Sequence, residues 1–382
     1  MADILSSLLS DDQRTGLNRF IVVVTSLIAL VAAACFLFTG IDLLGLFSGS
    51  ELPPGGAGDW YQIYFTEPAA ADVLTGSVAE QLIDRIDQAE ETIDIAAFEF
   101  DLMPVAEALV DAHWRGVDVR WVTDDEYGLE FDEGAFATLE SAGVPVRDDE
   151  RDALMHNKFW VFDRQIVWTG STNVTHNGVF NNNNNTIVIS STRLAEIYEW
   201  EFDEMWAGAF GPGSPSTVGD QEIVIQDTPV TVYFAPEDDV IDQLVPLIEG
   251  AEESVRFMAF SFTHDDLGAA MLAAADRGVD VGGIFETRGS ETEYSELASL
   301  YCAGLPVRQD GNPRAFHHKV IVVDGEIVVT GSFNFSNNAD RSNDENVLII
   351  ANRDVADHYL QEFDRRWSEA VEPAAGDIDC NE

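Results

Sequence analysis

Two stretches of the sequence are copies of one another, HNKFWVFDRQIVWTGSTN at residues 156–173 and HHKVIVVDGEIVVTGSFN at residues 317–334. Every polar landmark recurs with the same spacing, 161 residues apart. In each copy two apolar runs flank a short turn, which begins at Asp163 in the first copy and at Asp324-Gly325 in the second. Two apolar runs joined by such a turn are typical of a β-hairpin. The sequence therefore predicts two equivalent hairpins.

The repeat extends well beyond the hairpins. Residues 89–93 (AEETI) return as 251–255 (AEESV), and residues 115–119 (RGVDV) return unchanged as 277–281. Ahead of each hairpin, helical and strand patterns alternate, which indicates a sheet covered by helices on both faces. Similarity at so long a period indicates a duplicated unit. We therefore predict an α/β fold of two homologous lobes, each a mixed β-sheet flanked by helices, related by pseudo-two-fold symmetry.

The polar residues of each copy suit a phosphate-binding pocket. In a strand, residues two apart share a face, so His156 and Lys158 are expected to project together, as are Ser171 and Asn173 on the neighbouring strand. Lys158 and Lys319 are the only lysines in the chain. A compact ammonium group is a point-charge partner for phosphate, whereas guanidinium is wider and planar. The two lysines therefore point to a role that arginine does not fill.

Both copies fit the pattern HxK(x)4D(x)6GSxN, and the chain resembles the phospholipase D superfamily from Trp60 to Trp367. The resemblance implies two lobes sharing one active site, and phosphodiester cleavage that needs no metal or other cofactor. One histidine attacks phosphorus to form a phosphohistidine, the other protonates the leaving group, and water releases the product. The catalytic residues implied are His156 as nucleophile, His317 as acid, and Lys158 and Lys319.

Other residues receive supporting roles from the same resemblance. Family members often carry a carboxylate after the motif that binds a histidine, and Glu345 occupies such a position, whereas the aligned residue of the first copy is Asn184. A carboxylate stabilises a cationic imidazole and an amide does not, so the two histidines are predicted to differ in basicity. Asp163 and Asp324 are expected to brace the hairpins. The residues expected to bind or orient phosphate are Ser171, Asn173, Asn184, Ser332, Asn334 and Glu345.

The chain is strongly acidic, with 69 Asp and Glu residues against 20 Lys and Arg residues and a formal net charge of -49. Because 46% of residues are hydrophobic, the composition indicates a folded protein and not a disordered one. An acidic surface repels polyanions, but in molar salt the Debye length is about 3 Å. The excess of acids therefore suggests adaptation to high salt, with an ordinary acidic protein as the alternative.

Three cysteines are too few for a disulfide scaffold, although Cys302 and Cys380 could pair outside the cell.

An apolar segment at residues 20–38 predicts a transmembrane helix. Arg14 and Arg19 precede it, and the next basic residue is Arg85, so the N-terminus is expected in the cytoplasm and the lobes outside it. A cleaved signal peptide and a lipoprotein signal ending before Cys35 are the alternatives. The predicted divisions are an N-terminus and anchor at 1–48, a flexible spacer at 49–59, lobes at 60–207 and 222–370, a linker at 208–221, and an acidic tail at 371–382.

These observations favour a membrane-anchored phosphodiesterase, acting as a monomer on a phospholipid headgroup. The first alternative is a nuclease, because residues 257–263 (FMAFSFT) and the second motif look like the small bacterial endonucleases of this superfamily. A phosphatidyl transferase resembling cardiolipin synthase is another. A non-catalytic binding protein would predict decay of one motif, and both are intact. The sequence leaves the choice of substrate open.

Overall fold

The computed structural model describes residues 55–68, 72–130, 134–214, 221–374, 378 and 380. Among these residues, no helix has the length and apolar character needed to cross a bilayer. The predicted transmembrane helix at 20–38 lies outside the described residues.

The described strands follow the same order in both halves of the chain, and so do the α-helices, except that the short helix Asn337–Arg341 has a π-helical turn, Asn177–Asn181, as its counterpart. The strands are β1 (Gly55–Ala57), β2 (Tyr61–Phe65), β3 (Thr92–Ala97), β4 (Asp118–Val122), β5 (Val146–Arg147), β6 (Lys158–Phe162), β7 (Ile166–Gly170), β8 (Asn185–Ser190), β9 (Glu222–Ile225), β10 (Thr228–Ala235), β11 (Ser254–Ala259), β12 (Asp280–Phe285), β13 (Val307–Gln309), β14 (Lys319–Val323), β15 (Ile327–Gly331) and β16 (Glu345–Ala351). The helices are α1 (Val78–Gln88), α2 (Met103–Arg115), α3 (Ala135–Ala142), α4 (Thr192–Ala207), α5 (Val240–Glu249), α6 (Asp265–Asp276), α7 (Glu296–Cys302), α8 (Asn337–Arg341) and α9 (Arg353–Glu369).

The strands form two eight-stranded sheets with equivalent topology. The first has the order β1-β2-β8-β7-β6-β3-β4-β5, and the second, taken from its other edge, has the order β9-β10-β16-β15-β14-β11-β12-β13. Strands β3 and β4 pair in parallel, whereas β6 and β7 form the predicted antiparallel hairpin. The predicted two-lobed α/β fold with mixed sheets is therefore confirmed.

Alternation along the strands sorts the apolar side chains into three cores. On β6, Trp160 and Phe162 face a core made with α1, α2 and α3, and the second lobe builds an equivalent core with α5, α6 and α7. Phe159 and Val161 face the opposite way, into a core that contains residues of both lobes. Helices α4 and α9 lie in this shared core, where the Tyr198 ring packs 4.9 Å from Phe159 and 5.4 Å from Phe234 of the other lobe. The shared core holds the two lobes together.

The end of the predicted spacer at 49–59 belongs to the first sheet. Gly55–Ala57 is the edge strand β1, paired antiparallel with β2. Gly55 has a φ of 154°, and a Cβ atom there would lie 1.9 Å from the backbone oxygen of Ile63 on β2, so only glycine lets the strand pack here. The prediction of a flexible spacer is therefore wrong for these three residues.

The segment after α9 is also fastened to the second lobe. Val371 forms an isolated antiparallel bridge with Gln309, next to the edge of the second sheet. Cys380 forms a disulfide with Cys302 at the end of α7, the pairing considered from the sequence. Part of the predicted acidic tail at 371–382 is therefore held to the fold at two points.

Asp163 and Asp324 fasten the two hairpins to the rest of their sheets. Both have left-handed backbone conformations, with φ of 50° and 53°. The Asp163 carboxylate accepts hydrogen bonds from the backbone N–H groups of residues 90–92, and Asp324 accepts those of residues 252–254 at 2.7 to 3.2 Å. Partial burial acts to raise the pKa of Asp324, but these backbone donors hold it below its usual value. Each aspartate thus joins a hairpin turn to the start of a neighbouring strand, β3 in the first lobe and β11 in the second.

We predict that Asp324→Ala lowers the free energy of unfolding at neutral pH by about 1–3 kcal/mol, because three backbone donors lose their charged acceptor. Asp324→Asn should lose less, because asparagine keeps one acceptor oxygen and tolerates the left-handed backbone. Since folding lowers this pKa, the difference between wild type and Asp324→Asn should be full above pH about 4 and shrink as pH falls below it. Urea unfolding measures all three proteins, and equal midpoints would contradict the bracing role.

Candidate active site

The two motifs meet at one cleft between the lobes. Its volume is about 670 Å³, and its lining includes His156, His317, Asn173 and Asn334. The motif residues lie at strand ends and not within strands as predicted: each histidine precedes the first strand of its hairpin, and each asparagine follows the second. Gly170 and Gly331 end those second strands with φ of 146° and 145°. Close contact with the neighbouring strand leaves no room for a Cβ atom at either glycine.

Each histidine is oriented by a residue of the opposite lobe. His156 Nδ1 lies 2.8 Å from Glu345 Oε2, and His317 Nδ1 lies 2.9 Å from Asn184 Oδ1 and 3.1 Å from the Ser171 carbonyl. Because Nδ1 is engaged in both rings, Nε2 is the nitrogen left for the cleft. The structure therefore places both predicted orienting residues on motif histidines and shows that each contact crosses between the lobes.

The environment disfavours the charged form of both imidazoles in the free protein. Burial, together with the lysine ammonium groups, lowers the pKa of His156 and of His317 well below the usual value. Burial also raises the pKa of Glu345 to about 8, against the neighbouring Lys158 charge. The 2.8 Å contact therefore places one proton between Glu345 and His156. His317 has only a neutral amide at the equivalent position, so the two histidines differ in what could stabilise a positive ring.

The lysines are buried in matching surroundings. Lys158 Nζ donates to the His156 carbonyl at 2.9 Å and lies 4.9 Å from the Phe98 ring centroid. Lys319 Nζ donates to the His317 carbonyl at 3.1 Å and lies 4.7 Å from the Phe260 ring. Burial lowers the pKa of Lys158 to about 8, although nearby carboxylates oppose the shift. Burial and the charge of Lys158 lower the pKa of Lys319 well below its usual value.

The serines and asparagines of the motifs have different positions. Ser171 Oγ donates to Asn184 Oδ1 at 2.8 Å, and Ser332 Oγ accepts from the Asn346 backbone at 3.0 Å, so both hydroxyls lie behind the cleft. Asn173 and Asn334 line it. The side-chain oxygens of these two asparagines are buried and make no hydrogen bond to the described residues. The serines thus hold neighbouring residues in place, and the asparagines are the amides that can reach a substrate.

Glu99 is a cleft residue that the sequence reasoning missed. Its Oε2 accepts a hydrogen bond from Asn173 Nδ2 at 2.7 Å, and it lies near Lys158. Burial raises its pKa. The second lobe has Ser261 between the equivalent phenylalanines, FSF at 260–262 against FEF at 98–100. Comparing the two copies at this point would have revealed the difference.

Two groups of carboxylates outside the motifs bring their oxygens within 4.8 Å of one another. One contains Asp124, Asp125 and Asp149, and the other contains Glu201, Glu204 and Glu237. Burial raises the pKa of Asp149 and of Glu237 to about 7. Neither group includes a histidine or lysine of the cleft, and such clusters are common without a bound ion.

Comparison with known proteins covers both lobes. The family described as "Cardiolipin synthase, PLD-like domain" matches residues 82–206 and 244–367. A mitochondrial cardiolipin hydrolase of Xenopus tropicalis is 36% identical over 141 residues, which are 37% of this chain and 67% of that protein. A phospholipase D of Rickettsia prowazekii is 36% identical over 134 residues, 35% of this chain and 65% of that protein. The chain thus spans about two thirds of the length of these relatives.

A likeness of fold extends over most of the described residues. The crystal structure of a phosphatidylserine synthase of Haemophilus influenzae superposes with a TM-score of 0.61 at 14% identity, covering 84% of this chain and 89% of that one. With two family matches, one in each lobe, and a complete motif at each side of one cleft, the chain belongs to the PLD-like domain family of the phospholipase D superfamily.

Proposed function

We propose that this chain is a phosphodiesterase that cleaves the headgroup phosphodiester of a phospholipid through a phosphohistidine intermediate. The observation that carries the proposal is the pair of buried histidines, each held at Nδ1 from the opposite lobe, with a buried lysine beside each. The names of the relatives, a cardiolipin hydrolase and a phospholipase D, support hydrolysis of a phospholipid diester.

His156 suits the nucleophile. Its Nε2 forms a bond to phosphorus while the bond from phosphorus to the headgroup oxygen breaks. The ring then carries positive charge for the lifetime of the intermediate, and the Glu345 carboxylate at Nδ1 stabilises it. Glu345 therefore favours the step that makes His156 cationic.

His317 suits the acid and base. A bound phosphate offsets the lysine charges and favours protonation of His317, whose Nε2–H then gives a proton to the departing headgroup oxygen. The neutral ring later takes a proton from the water that attacks phosphorus. When that water bonds to phosphorus, the bond to His156 breaks and phosphatidic acid is released. Asn184 cannot stabilise a cationic ring as a carboxylate does, so His317 gives up its proton readily. Each lysine lies beside the histidine of its own motif, and we assign both charges to stabilising the negative charge that develops on the phosphoryl oxygens.

The same intermediate could be transferred to an alcohol or formed on a nucleic acid. The family description names a cardiolipin synthase, which favours transfer as the second candidate. For that activity the attacking group is an alcohol hydroxyl, and every other step is unchanged. A nuclease has less support, because no arginine lines the cleft among the described residues.

We further propose that the chain is anchored in the membrane by residues 20–38, with the lobes on the outer side, and that it is adapted to high salt. The apolar segment and its flanking arginines support the anchor. The disulfide between Cys302 and Cys380 supports an oxidising, extracytoplasmic location. The net charge of -49 supports adaptation to salt, because self-repulsion on such a surface weakens when salt screens it.

The roles of the two histidines can be separated with bis(4-nitrophenyl) phosphate, whose leaving group needs no proton. We predict that His317→Ala still releases one nitrophenolate per site in a rapid burst and then stalls, because water attack lacks its base. His156→Ala should give no burst and no labelled phosphoenzyme, and both variants should lose turnover on phospholipid by at least about a hundredfold. A burst from His156→Ala and none from His317→Ala would reverse the assignment.

Activity should depend on the lysine charges in a defined pH range. Burial lowers the pKa of Lys158 to about 8, so its stabilising charge is present below that pH and is lost as pH rises through it. We predict that kcat/KM, which reports the free enzyme, declines above pH about 8. The decline in kcat should occur at higher pH, because the bound phosphate raises the pKa of the lysine. Rate profiles measure both, and a kcat/KM that is constant to pH about 10 would contradict the role of this charge.

Placement and salt adaptation are tested on the full-length chain. We predict that it sediments with membranes, and that deletion of residues 1–48 moves it to the soluble fraction. We also predict that its thermal midpoint rises as KCl is increased to about 1 M, where the Debye length is about 3 Å. Recovery of the full-length chain in the soluble fraction would exclude the anchor, and full stability in dilute buffer would exclude the salt adaptation.

A further inference from the structure

We propose that Glu99 is a specificity-determining residue that disfavours substrates with a second phosphate next to the scissile one. The site then selects substrates in which the scissile phosphodiester is the only phosphate near the cleft. This inference rests on the proposed function and names the class of substrate within it.

Glu99 is placed where it can sense the substrate. It follows β3, lines the cleft and is half-buried, so its carboxylate is fixed but still reachable. Asn173, which also lines the cleft, donates to its Oε2 at 2.7 Å. The neighbouring Phe98 ring packs 4.8 Å from the His156 ring. A substrate phosphate bound at His156 would therefore lie near the Glu99 carboxylate, on the same side of the cleft.

The charge of Glu99 has no counterpart across the cleft. In the second lobe Phe260 packs 4.6 Å from His317 just as Phe98 packs on His156, but the next residue is Ser261. Proteins that bind two phosphates usually supply cations for each. Among the described residues that line this cleft there is no arginine, and the charged side chains added beside the motif are the acids Glu99 and Asp101. The difference between Glu99 and Ser261 therefore gives the first-lobe side of the cleft an extra negative charge and no extra positive charge.

The electrostatic balance then limits the substrate to one phosphate. Lys158 faces the carboxylates of Glu345, Glu99 and Asp124, and Lys319 is its cationic neighbour. The two ammonium groups are thus available for the scissile phosphate alone. A second phosphate entering on the side of the first lobe meets Glu99 with no cation to offset it. Repulsion between two such charges in a partly buried site lowers affinity by about tenfold, and salt screens it less than it screens surface charges.

Phosphatidylglycerol and cardiolipin make a matched pair of probes, because cleavage of either releases phosphatidic acid from a glycerol headgroup. In cardiolipin that glycerol bears a second phosphatidyl group. Each lipid is presented in the same neutral detergent micelles at equal mole fraction, and kcat/KM is measured for the full-length protein. We expect wild type to prefer phosphatidylglycerol, and Glu99→Gln to raise the ratio of cardiolipin to phosphatidylglycerol by about tenfold. Glu99→Ser, which copies the second lobe, should shift it in the same direction.

The controls separate charge from shape and from general effects. Glu99→Asp keeps the charge and should keep most of the preference, whereas Glu222→Gln removes an exposed carboxylate on edge strand β9 and should leave the ratio unchanged. Because the readout is a ratio within one protein, a partial loss of folded enzyme cancels. The preference should also weaken as acid pH protonates Glu99 in wild type, and it should change less with pH in Glu99→Gln, where Asp101 is the remaining acid beside the motif.

The outcomes distinguish this inference from the proposed function. If wild type cleaves both lipids and the ratio in Glu99→Gln stays within about twofold of wild type, the role of Glu99 is overturned and the phospholipase activity stands. A wild-type preference for cardiolipin would overturn it as well. If wild type cleaves neither lipid, the proposed phospholipid substrate is wrong, and the inference falls with it.

Discussion

The active site depends on a reciprocal exchange between the lobes. The backbone N–H of His156 donates to the Asp344 carbonyl at 2.9 Å, and that of His317 donates to the Asn183 carbonyl at 2.8 Å. The next residue along each partner segment, Glu345 or Asn184, then engages Nδ1 of the same histidine. Neither lobe alone holds its own histidine in a defined tautomer. The apolar core shared by both sheets is what keeps these contacts in register.

Duplication gives such a site two equal halves, but a two-step reaction needs unequal ones. The nucleophile must accept positive charge and hold it, while the acid must lose a proton and regain it. One exchanged position supplies this difference, because a carboxylate faces His156 and an amide faces His317. The lysines and the phenylalanine rings beneath them remain matched between the lobes. Symmetry therefore persists at the lysines and their phenylalanine rings, and it is broken at the residues that engage Nδ1 of the two histidines.

Much of this could be read from the sequence, because the repeat has a fixed spacing and a hairpin is a local structure. The strands around Asp163 and Asp324 and the mixed sheets follow from patterns within each copy. The convergence of the two motifs on one site was implied only by the family resemblance. The sequence also identified Glu345 and Asn184 as an unequal pair, but not that each serves the opposite lobe. That contact depends on how the sheets dock through the shared core, which spacing along the chain does not record. The edge strand Gly55–Ala57 was missed for a similar reason, because its glycines suggest a spacer until the backbone of β2 is placed against them.

The many acidic residues and the two lysines act in different places, the acids mostly at the surface and the lysines in the buried site. Surface carboxylates act over a Debye length and weaken with salt, whereas charges inside the cleft are separated from solvent and keep their effect. Lys158 and Lys319 are 3% and 1% exposed, so burial disfavours their charged forms, and the phosphate of the proposed reaction would restore them. A surface lysine could not be tuned in this way, since water would already stabilise its charge. The two lysines therefore count for more at the site than the net charge of -49 suggests, because the site is defined by what is buried beside the histidines.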